Sequence, residues 1–409
     1  MRPAPARGQA PPGRRVAACR PSAYTRRAVG TTSTRQGRAW VEVDLGAVVT
    51  NAERLLGHLP AGARLLPMVK ADAYGLGMAP VAAALARALG ERLWGFGVAA
   101  VAEAAALRAE GWTGRILLCA PVAPSELEDA AALGVRVAVS DLAAVRRWAR
   151  WGRRWGRTLP FHVEIDTGMG RAGFPWRAAS RWSARVAAAV AEGGADWEGA
   201  FTHFHSADAP DLAATDEQWR RFRWAVTRLP EGMGRLRHVA NSAAAWRRGG
   251  YGLPLARPGI FLYGGEAGPG TPNVPVVSVR ARVVRVALAA PGATVGYGAE
   301  HRAATSERWA TIALGYGDGY RRASWPAGAH VLLHGRPARV LGRVSMDMIV
   351  VDATGVPQVR PGDIATLLGR DGDATISLAD LARWWDTIDY EVLTGWTRRL
   401  PRIYRGADE

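Results

Sequence analysis

Residues 65–77 have the sequence Leu-Leu-Pro-Met-Val-Lys-Ala-Asp-Ala-Tyr-Gly-Leu-Gly, in which a short apolar run ends at Lys70. This run is the first of eight short β-rich or apolar runs, which lie at residues 65–70, 94–98, 115–119, 135–139, 161–166, 199–205, 236–240 and 257–262. Amphipathic Ala/Leu/Arg stretches typical of crossover helices lie between them, at residues 78–89, 99–108, 125–133, 142–151 and 178–191. Eight strand–helix alternations over about 210 residues predict an α/β fold, a (β/α)₈ TIM-type barrel of parallel strands.

The pattern changes after about residue 272. Strand-like segments now alternate with Pro/Gly turns, at residues 276–288, 309–314, 330–333, 338–344 and 349–352, and a helix-like stretch follows at 378–385. This half predicts a mainly β domain. We therefore divide the chain into a basic arm at residues 1–37, a barrel at 38–272 and a C-terminal β domain at 273–409.

The net charge of +17 raises the question of nucleic-acid binding. Residues 1–38 hold nine arginines and no Asp or Glu, so about half of the excess charge lies in one segment. That segment is rich in Pro, Ala, Arg and Thr without apolar periodicity, which predicts a disordered arm. It could be a solvated arm, a product of a misassigned start codon, a transit peptide or an incidental nucleic-acid contact. We expect no nucleic-acid partner.

Cysteine usage and hydropathy bear on the location of the protein. The two cysteines, Cys19 and Cys119, have neither metal-ligand nor redox spacing, which favours a reducing, cytoplasmic compartment. No apolar run approaches the roughly 18 residues needed to cross a bilayer, so we expect no membrane partner. His203 and His205 could share one face of a strand, but no third ligand has a convincing spacing, and we expect no metal.

Lys70 is the only lysine among 53 basic residues. Arginine can replace lysine as a surface charge, but its delocalised guanidinium cannot serve as the amine of an imine. The predicted position of Lys70, at the C-terminal end of the first barrel strand, is where catalytic groups of this fold lie. The sequence therefore singles out Lys70 as a reactive amine.

Residues 69–77 resemble the cofactor-lysine signature of bacterial alanine racemases, and the similarity extends over about residues 38–405. The resemblance implies a pyridoxal 5′-phosphate (PLP) enzyme that interconverts L-alanine and D-alanine and supplies D-alanine for cell-wall peptidoglycan. It implies that Lys70 carries the cofactor and that Tyr74 bonds to the cofactor phosphate. It also implies that Ser242, Gly259 and Ile260 complete the phosphate site, and loops after the last two barrel strands commonly bind phosphate.

The resemblance assigns further roles on both sides of the substrate. Arg257 matches the arginine that faces the pyridine nitrogen, and His203 matches the histidine that supports that arginine. The second catalytic base, on the face opposite Lys70, matches Tyr297, nineteen positions before Tyr316. The remaining substrate-binding residues that we expect are Arg171, Tyr316, Met346 (through its backbone N–H) and Asp347. In the family the β-domain groups reach the barrel of the partner subunit, so a homodimer with shared active sites is expected.

This sequence departs from the family pattern at two positions. A carbamylated lysine often lies seven residues before the substrate arginine, and Glu164 occupies that position here. A permanent carboxylate at 164 could replace the carbamate and pair with Arg171. Residues 390–402 resemble the closing motif of the family. Some members place a phosphate-binding tyrosine where Arg398 stands, and whether Arg398 contacts the phosphate is open.

Three other functions compete with alanine racemisation. The same fold could act on serine or on several amino acids, since a few pocket side chains decide the substrate. A non-catalytic PLP carrier is a second possibility, but such proteins have a single domain, and the β domain with Tyr297 and Met346 argues against it. The third is a basic nucleic-acid-binding protein.

Overall fold

A computed structural model describes residues 37–406, and the expected basic arm lies outside the described residues except for Gly37. The strands of this part of the chain are β1 Ala39–Asp44, β2 Arg64–Leu65, β3 Phe96–Val98, β4 Ile116–Pro121, β5 Arg136–Val139, β6 Leu159–Asp166, β7 Phe174–Pro175, β8 Ala195–Phe201, β9 Leu236–His238, β10 Leu255–Ala256, β11 Val277–Ala289, β12 Thr294–Val295, β13 His301–Arg302, β14 Glu307–Ile312, β15 His330–Leu333, β16 Arg336–Leu341, β17 Ile349–Asp352, β18 Ile364–Asp371, β19 Ala374–Ile376 and β20 Arg402–Arg405.

The helical segments of the same residues are α1 Leu45–Gly57, α2 Lys70–Gly75, α3 Met78–Leu89, α4 Val101–Ala109, α5 Leu127–Ala132, α6 Leu142–Trp155, α7 Ala179–Ala191, α8 Ala213–Val226, α9 Ser242–Arg248, α10 Leu378–Trp385 and α11 Asp389–Gly395. Between residues 37 and 406, none of the helices is both long and apolar enough to span a membrane.

Eight parallel strands form the barrel. β3, β4, β5, β6, β8 and β9 pair in that order, and β10 pairs with β2. Backbone bonds close the ring on both sides of this second pair: Arg257 donates to Ala240 O at 2.8 Å, and Trp94 donates to Leu65 O at 2.8 Å. The predicted (β/α)₈ barrel is therefore confirmed, and the carboxyl ends of its strands meet at one face.

The crossover helices bury one apolar stripe each against the barrel. In α6, Val145, Trp148, Ala149 and Gly152 are buried at helical spacing, while the arginines between them face outward. The side chain of Asp141 caps this helix by accepting from Ala144 N, and Gly156 ends it with a left-handed φ of 62°. All five predicted crossover helices are present, as α3 to α7.

The last barrel strand ends earlier than we predicted. We expected a strand at residues 257–262, but β10 ends at Ala256, and a short 3₁₀ helix forms at Ile260–Tyr263. Pro258 has no N–H to donate to a ladder, so the chain leaves the sheet there. The turn places Gly259 and Ile260 at the barrel mouth rather than in its wall.

The β domain is built around a ring of antiparallel strands. β18, β15, β16, β17, β14 and β11 pair in sequence, and β18 also pairs with β11, which closes the ring. β1 pairs with β11 and with β20 at the side of this sheet. The residues from Ala39 to Asp44 thus join the β-domain sheet, although we had assigned residues 38–272 to the barrel.

We expect Gly152→Ala to lower the free energy of unfolding by roughly 1–3 kcal/mol, because the added methyl group overpacks the interface. A Cβ at position 152 would stand 1.7 Å from the backbone oxygen of Gly194 and 2.7 Å from that of Arg157. Gly57→Ala is the matched control, because a Cβ there has no neighbour within 4 Å. Equal denaturation midpoints for the two variants would contradict this account of the packing.

Candidate active site

Lys70 follows the first barrel strand: β2 ends at Leu65, a single parallel bridge still pairs Met68 with Gly97, and α2 begins at Lys70. The backbone that follows Lys70 is left-handed. Residues 71–74 have φ values between 52° and 58°, although none of them is glycine. A left-handed conformation costs an L-residue roughly 1–2 kcal/mol, so neighbouring groups must hold this turn. Glu103 Oε1 accepts from Ala71 N at 2.7 Å, and Arg402 Nε donates to Gly75 O at 3.0 Å.

Tyr74, Ser242 and Gly259 form a small polar cradle beside this turn. Ser242 Oγ accepts from Gly259 N at 2.9 Å and from Phe261 N at 3.3 Å, which leaves its hydroxyl proton free to donate. The Tyr74 side chain is largely buried, and its hydroxyl makes no hydrogen bond with the described residues. A Cβ at position 259 would lie 2.2 Å from that hydroxyl, so only glycine fits. These donors suit a phosphate group.

Arg257 is a buried cation in the barrel interior. Its Nη1 donates to His238 Nδ1 at 2.8 Å and to His238 O at 3.0 Å. Its Nη2 donates to Thr202 O at 2.8 Å and to Val239 O at 3.3 Å. Burial lowers the pKa of Arg257 to about 10, so the guanidinium stays charged at neutral pH.

The histidine that bonds to Arg257 is His238, whereas we had expected His203. In the described structure the His203 ring makes no hydrogen bond to Arg257, and Gln218 donates to the His203 backbone oxygen at 3.1 Å. Burial, followed by the nearby charge of Arg257, lowers the pKa of His203 to about 3. Sequence reasoning missed His238, although it lies in one of the predicted barrel runs.

Glu164 lies on β6, and Arg171 lies in the loop that follows this strand. Glu164 is buried, with 3% of its surface exposed, whereas Arg171 is exposed and makes no hydrogen bond or ion pair with a described residue. Burial raises the pKa of Glu164, and the charges of Arg171 and Arg257 oppose that rise. The Arg171 guanidinium is thus available to an anion, and Glu164 is its nearby carboxylate.

The β-domain residues expected in the site lie apart from Lys70 within this chain. Tyr297, Tyr316 and Met346 are 65%, 40% and 51% exposed, and none of them lines the cavity at Lys70. The Met346 N–H has no acceptor among residues 37–406. Arg399 Nη2 donates to the carboxylate of Asp347 at 2.6 Å, so that carboxylate is held within the β domain.

The cavity at Lys70 has a volume of about 330 Å³ and is lined by Lys70, Ala71, Tyr74, Ile388, Tyr390, Glu391 and Thr394. The rings of Tyr74 and Tyr390 lie 6.0 Å apart between centroids. Tyr390 belongs to the closing motif, but we did not single it out. Arg398 lines a neighbouring cavity instead, together with Asp72 and Arg402.

Comparison with known proteins places these features in a family. Residues 43–267 match the family model described as alanine racemase, N-terminal domain, and residues 276–404 match alanine racemase, C-terminal domain. The chain belongs to the alanine racemase family. The curated alanine racemase of Deinococcus radiodurans is 42% identical over 370 residues, which cover 89% of this chain and 98% of that protein.

Solved structures of the family have the same fold. The alanine racemase of the D-cycloserine producer Streptomyces lavendulae matches with a TM-score of 0.85 and 32% identity, covering 91% of this chain and 98% of that one. The Bartonella henselae alanine racemase, solved with covalently bound pyridoxal phosphate, matches with a TM-score of 0.82 and 27% identity, covering 90% of this chain and 100% of that one. The predicted family, fold and enzyme class are confirmed.

We expect Glu164→Gln to raise KM for alanine about fivefold, equivalent to roughly 1 kcal/mol, with a smaller effect on PLP retention. Arg171 loses its nearby negative charge in this variant, while the shape of the side chain is kept. Steady-state kinetics with alanine measures the change.

Glu164→Lys provides the companion measurement. This variant should be impaired and partly rescued by bicarbonate, whereas the unmodified chain should be indifferent to bicarbonate. An unchanged KM in Glu164→Gln would remove Glu164 from the substrate site.

Proposed function

We propose that this protein interconverts L-alanine and D-alanine with PLP as its cofactor and supplies D-alanine for peptidoglycan. The observation that carries the proposal is the position of the only lysine, at the carboxyl end of a barrel strand and beside a polar cradle that fits phosphate. Membership of the alanine racemase family supports both the reaction and the cofactor.

The barrel residues divide the binding of PLP among them. Lys70 would hold the cofactor covalently. The hydroxyls of Tyr74 and Ser242 would hold its phosphate together with the N–H of Ile260 and that of Gly259, which in the described structure donates to Ser242 Oγ. When bound, PLP stabilises the negative charge that develops at the substrate α-carbon. Arg257 is the partner for the pyridine nitrogen. As a cation it would disfavour protonation of the ring, and it would thereby favour return of the proton to the α-carbon over transamination.

Inversion requires proton transfer on both faces of the α-carbon. Lys70 Nζ acts on one face. Tyr297 acts on the other, and because it lies outside the Lys70 cavity of its own chain, we infer that it serves the barrel of a second copy. Its exposure, together with that of Tyr316 and Met346, supports a homodimer in which each site draws on both subunits.

We propose that the substrate-binding groups also come from both the barrel and the β domain. Arg171 is exposed and has no partner for its guanidinium among residues 37–406, and the Met346 N–H of the β domain lacks an acceptor among the same residues. Both suit a substrate carboxylate. His203, Tyr316 and Asp347 complete the set that we propose for the site. Serine or several amino acids remain the alternative substrates, and assays of L-alanine and L-serine side by side distinguish them.

We also infer a cytoplasmic location, which rests on cysteine usage. Cys119 is a free thiol in the described structure, with only one other cysteine in the chain.

Mixing two inactive variants tests the shared site. Lys70→Arg keeps the charge but removes the reactive amine, and Tyr297→Phe removes the second base, so each alone should lose racemisation. In a mixed dimer, one site holds both changes and the other holds neither. After unfolding and refolding an equimolar mixture, we expect about a quarter of the unmodified activity to return, since half of the dimers carry one intact site out of two. No recovery would mean that both bases come from one chain.

Tyr297→Phe also separates the two faces of the reaction. In the proposed mechanism Tyr297 acts on the face that bears the α-proton of L-alanine, and Lys70 acts on the face that bears that of D-alanine. Lys70 remains functional in this variant, so exchange of the α-proton of L-alanine with deuterated solvent should fall far more than that of D-alanine. Proton NMR measures both rates on the same enzyme sample. Equal losses in the two rates would show that Tyr297 has a structural role or acts on both faces.

A further inference from the structure

A chain of polar side chains runs through the barrel interior from Arg257 to the opposite face. Arg257 Nη1 lies 2.8 Å from His238 Nδ1, and His238 Nε2 lies 2.8 Å from His162 Nδ1. His162 Nε2 lies 3.0 Å from Glu198 Oε2. Arg136 closes the chain with Nε 2.7 Å from Glu198 Oε2 and Nη2 3.2 Å from Oε1. Four barrel strands, β9, β6, β8 and β5, contribute one residue each beyond Arg257.

The groups at the two ends of this series of hydrogen bonds determine which partner donates in each of them. A guanidinium can only donate, so His238 Nδ1 accepts, and the proton of the neutral His238 ring is on Nε2. At the other end an ionised carboxylate can only accept, so His162 carries its proton on Nε2 and accepts at Nδ1. Both constraints require His238 to donate to His162. The same pair of tautomers therefore satisfies every hydrogen bond.

Burial keeps the two histidines neutral and makes this pair of tautomers costly to change. His162 and His238 are fully buried, and burial lowers the pKa of both rings. Burial by itself would raise the pKa of Glu198, but the hydrogen bonds from His162 and Arg136 lower it to about 2. The Phe201 ring stacks on His238 and the Trp94 ring lies against His162, so water does not replace a lost partner easily.

We propose that Glu198 and His162 are positioning residues for Arg257. Through His238 they keep a lone pair directed at the guanidinium, and Glu198, whose side chain is 21% exposed, supplies a partly buried negative charge at the far end of this series of hydrogen bonds. If the order reversed, the Nδ1–H of His238 would face the Nη1–H of Arg257, and the two donors would repel. The inference rests on the proposed role of Arg257 as the partner of the PLP ring.

Glu198→Gln tests the proposal because one carboxylate oxygen becomes a donor. Two N–H groups of Arg136 and one of His162 then compete for a single oxygen. When Arg136 occupies that oxygen, His162 Nε2 has no acceptor, and the donor direction of the hydrogen bonds between His162, His238 and Arg257 can reverse. We expect PLP to dissociate on the order of tenfold more readily, as is common when the support of a binding residue is removed. Titration of the apoenzyme with PLP, followed by tryptophan fluorescence, measures this affinity. It does not depend on racemisation, so it separates failure of this inference from failure of the proposed function.

Glu307→Gln is the matched control. Glu307 forms the same kind of pair in the β domain, 2.8 Å from His301 Nε2, with no connection to Arg257. Its PLP affinity should remain unchanged even if both variants lose similar thermal stability. PLP affinity within twofold of the unmodified protein in Glu198→Gln would reduce Glu198 to a structural ion pair and overturn the proposal.

Neutron diffraction of the deuterated, unmodified holoenzyme needs no variant. We expect deuterons on Nε2 of both His162 and His238 and none on either Nδ1. A deuteron on Nδ1 of His238 would overturn the proposal, whatever the folding of the variants.

Discussion

Arg257 must keep its charge inside the barrel, and much of the site is arranged to meet that constraint. Moving an isolated guanidinium out of water is costly, so each of its contacts in the interior must be an acceptor. Three backbone oxygens and one histidine nitrogen provide them. The carbonyls belong to the ends of neighbouring strands, so the cation can be solvated by protein only after the barrel has closed.

The left-handed turn after Lys70 is a second constraint, because contacts from the C-terminal segment hold it in place. Four consecutive non-glycine residues in this conformation are held partly by Arg402, whose guanidinium also donates to the oxygens of Trp396, Thr397 and Leu400. The C-terminal segment thus fixes the backbone that presents Lys70 and Tyr74. Burial lowers the pKa of Arg402, yet these carbonyl contacts keep it partnered.

The β-domain residues that we propose for the site, Tyr297, Tyr316 and Met346, face outward. Asp318 is fully buried and binds Arg38 and Arg399, and Arg399 also binds Asp347. This cluster ties the loops of Tyr316 and Met346 together while their side chains remain exposed. A rigid, exposed arrangement of this kind suits a surface that completes a site on another subunit, which is the basis of the proposed dimer.

The sequence by itself determined the barrel and the β domain, and it singled out Lys70 as the candidate reactive amine. The alternation of apolar runs with amphipathic stretches is a local property, and the choice of Lys70 follows from its uniqueness and its place at a strand end. The family resemblance added Tyr74, Ser242 and Gly259, which the structure brings together beside the turn after Lys70, and Arg257, which the structure buries in the barrel interior. Helix bounds such as Met78–Leu89 were also predictable, since Gly77 and Gly90 flank the apolar stripe.

Other features were decided only by the tertiary structure, because they depend on contacts between distant residues. His238, and not His203, bonds to Arg257, since the choice depends on which strand lies beside β10 once the barrel is closed. Tyr390 reaches the Lys70 cavity only because the C-terminal helix α11 packs on α2. The strand at Ala39 belongs to the β domain because its partner, β11, lies more than 200 residues further along the chain. Local patterns contain no information about such partners.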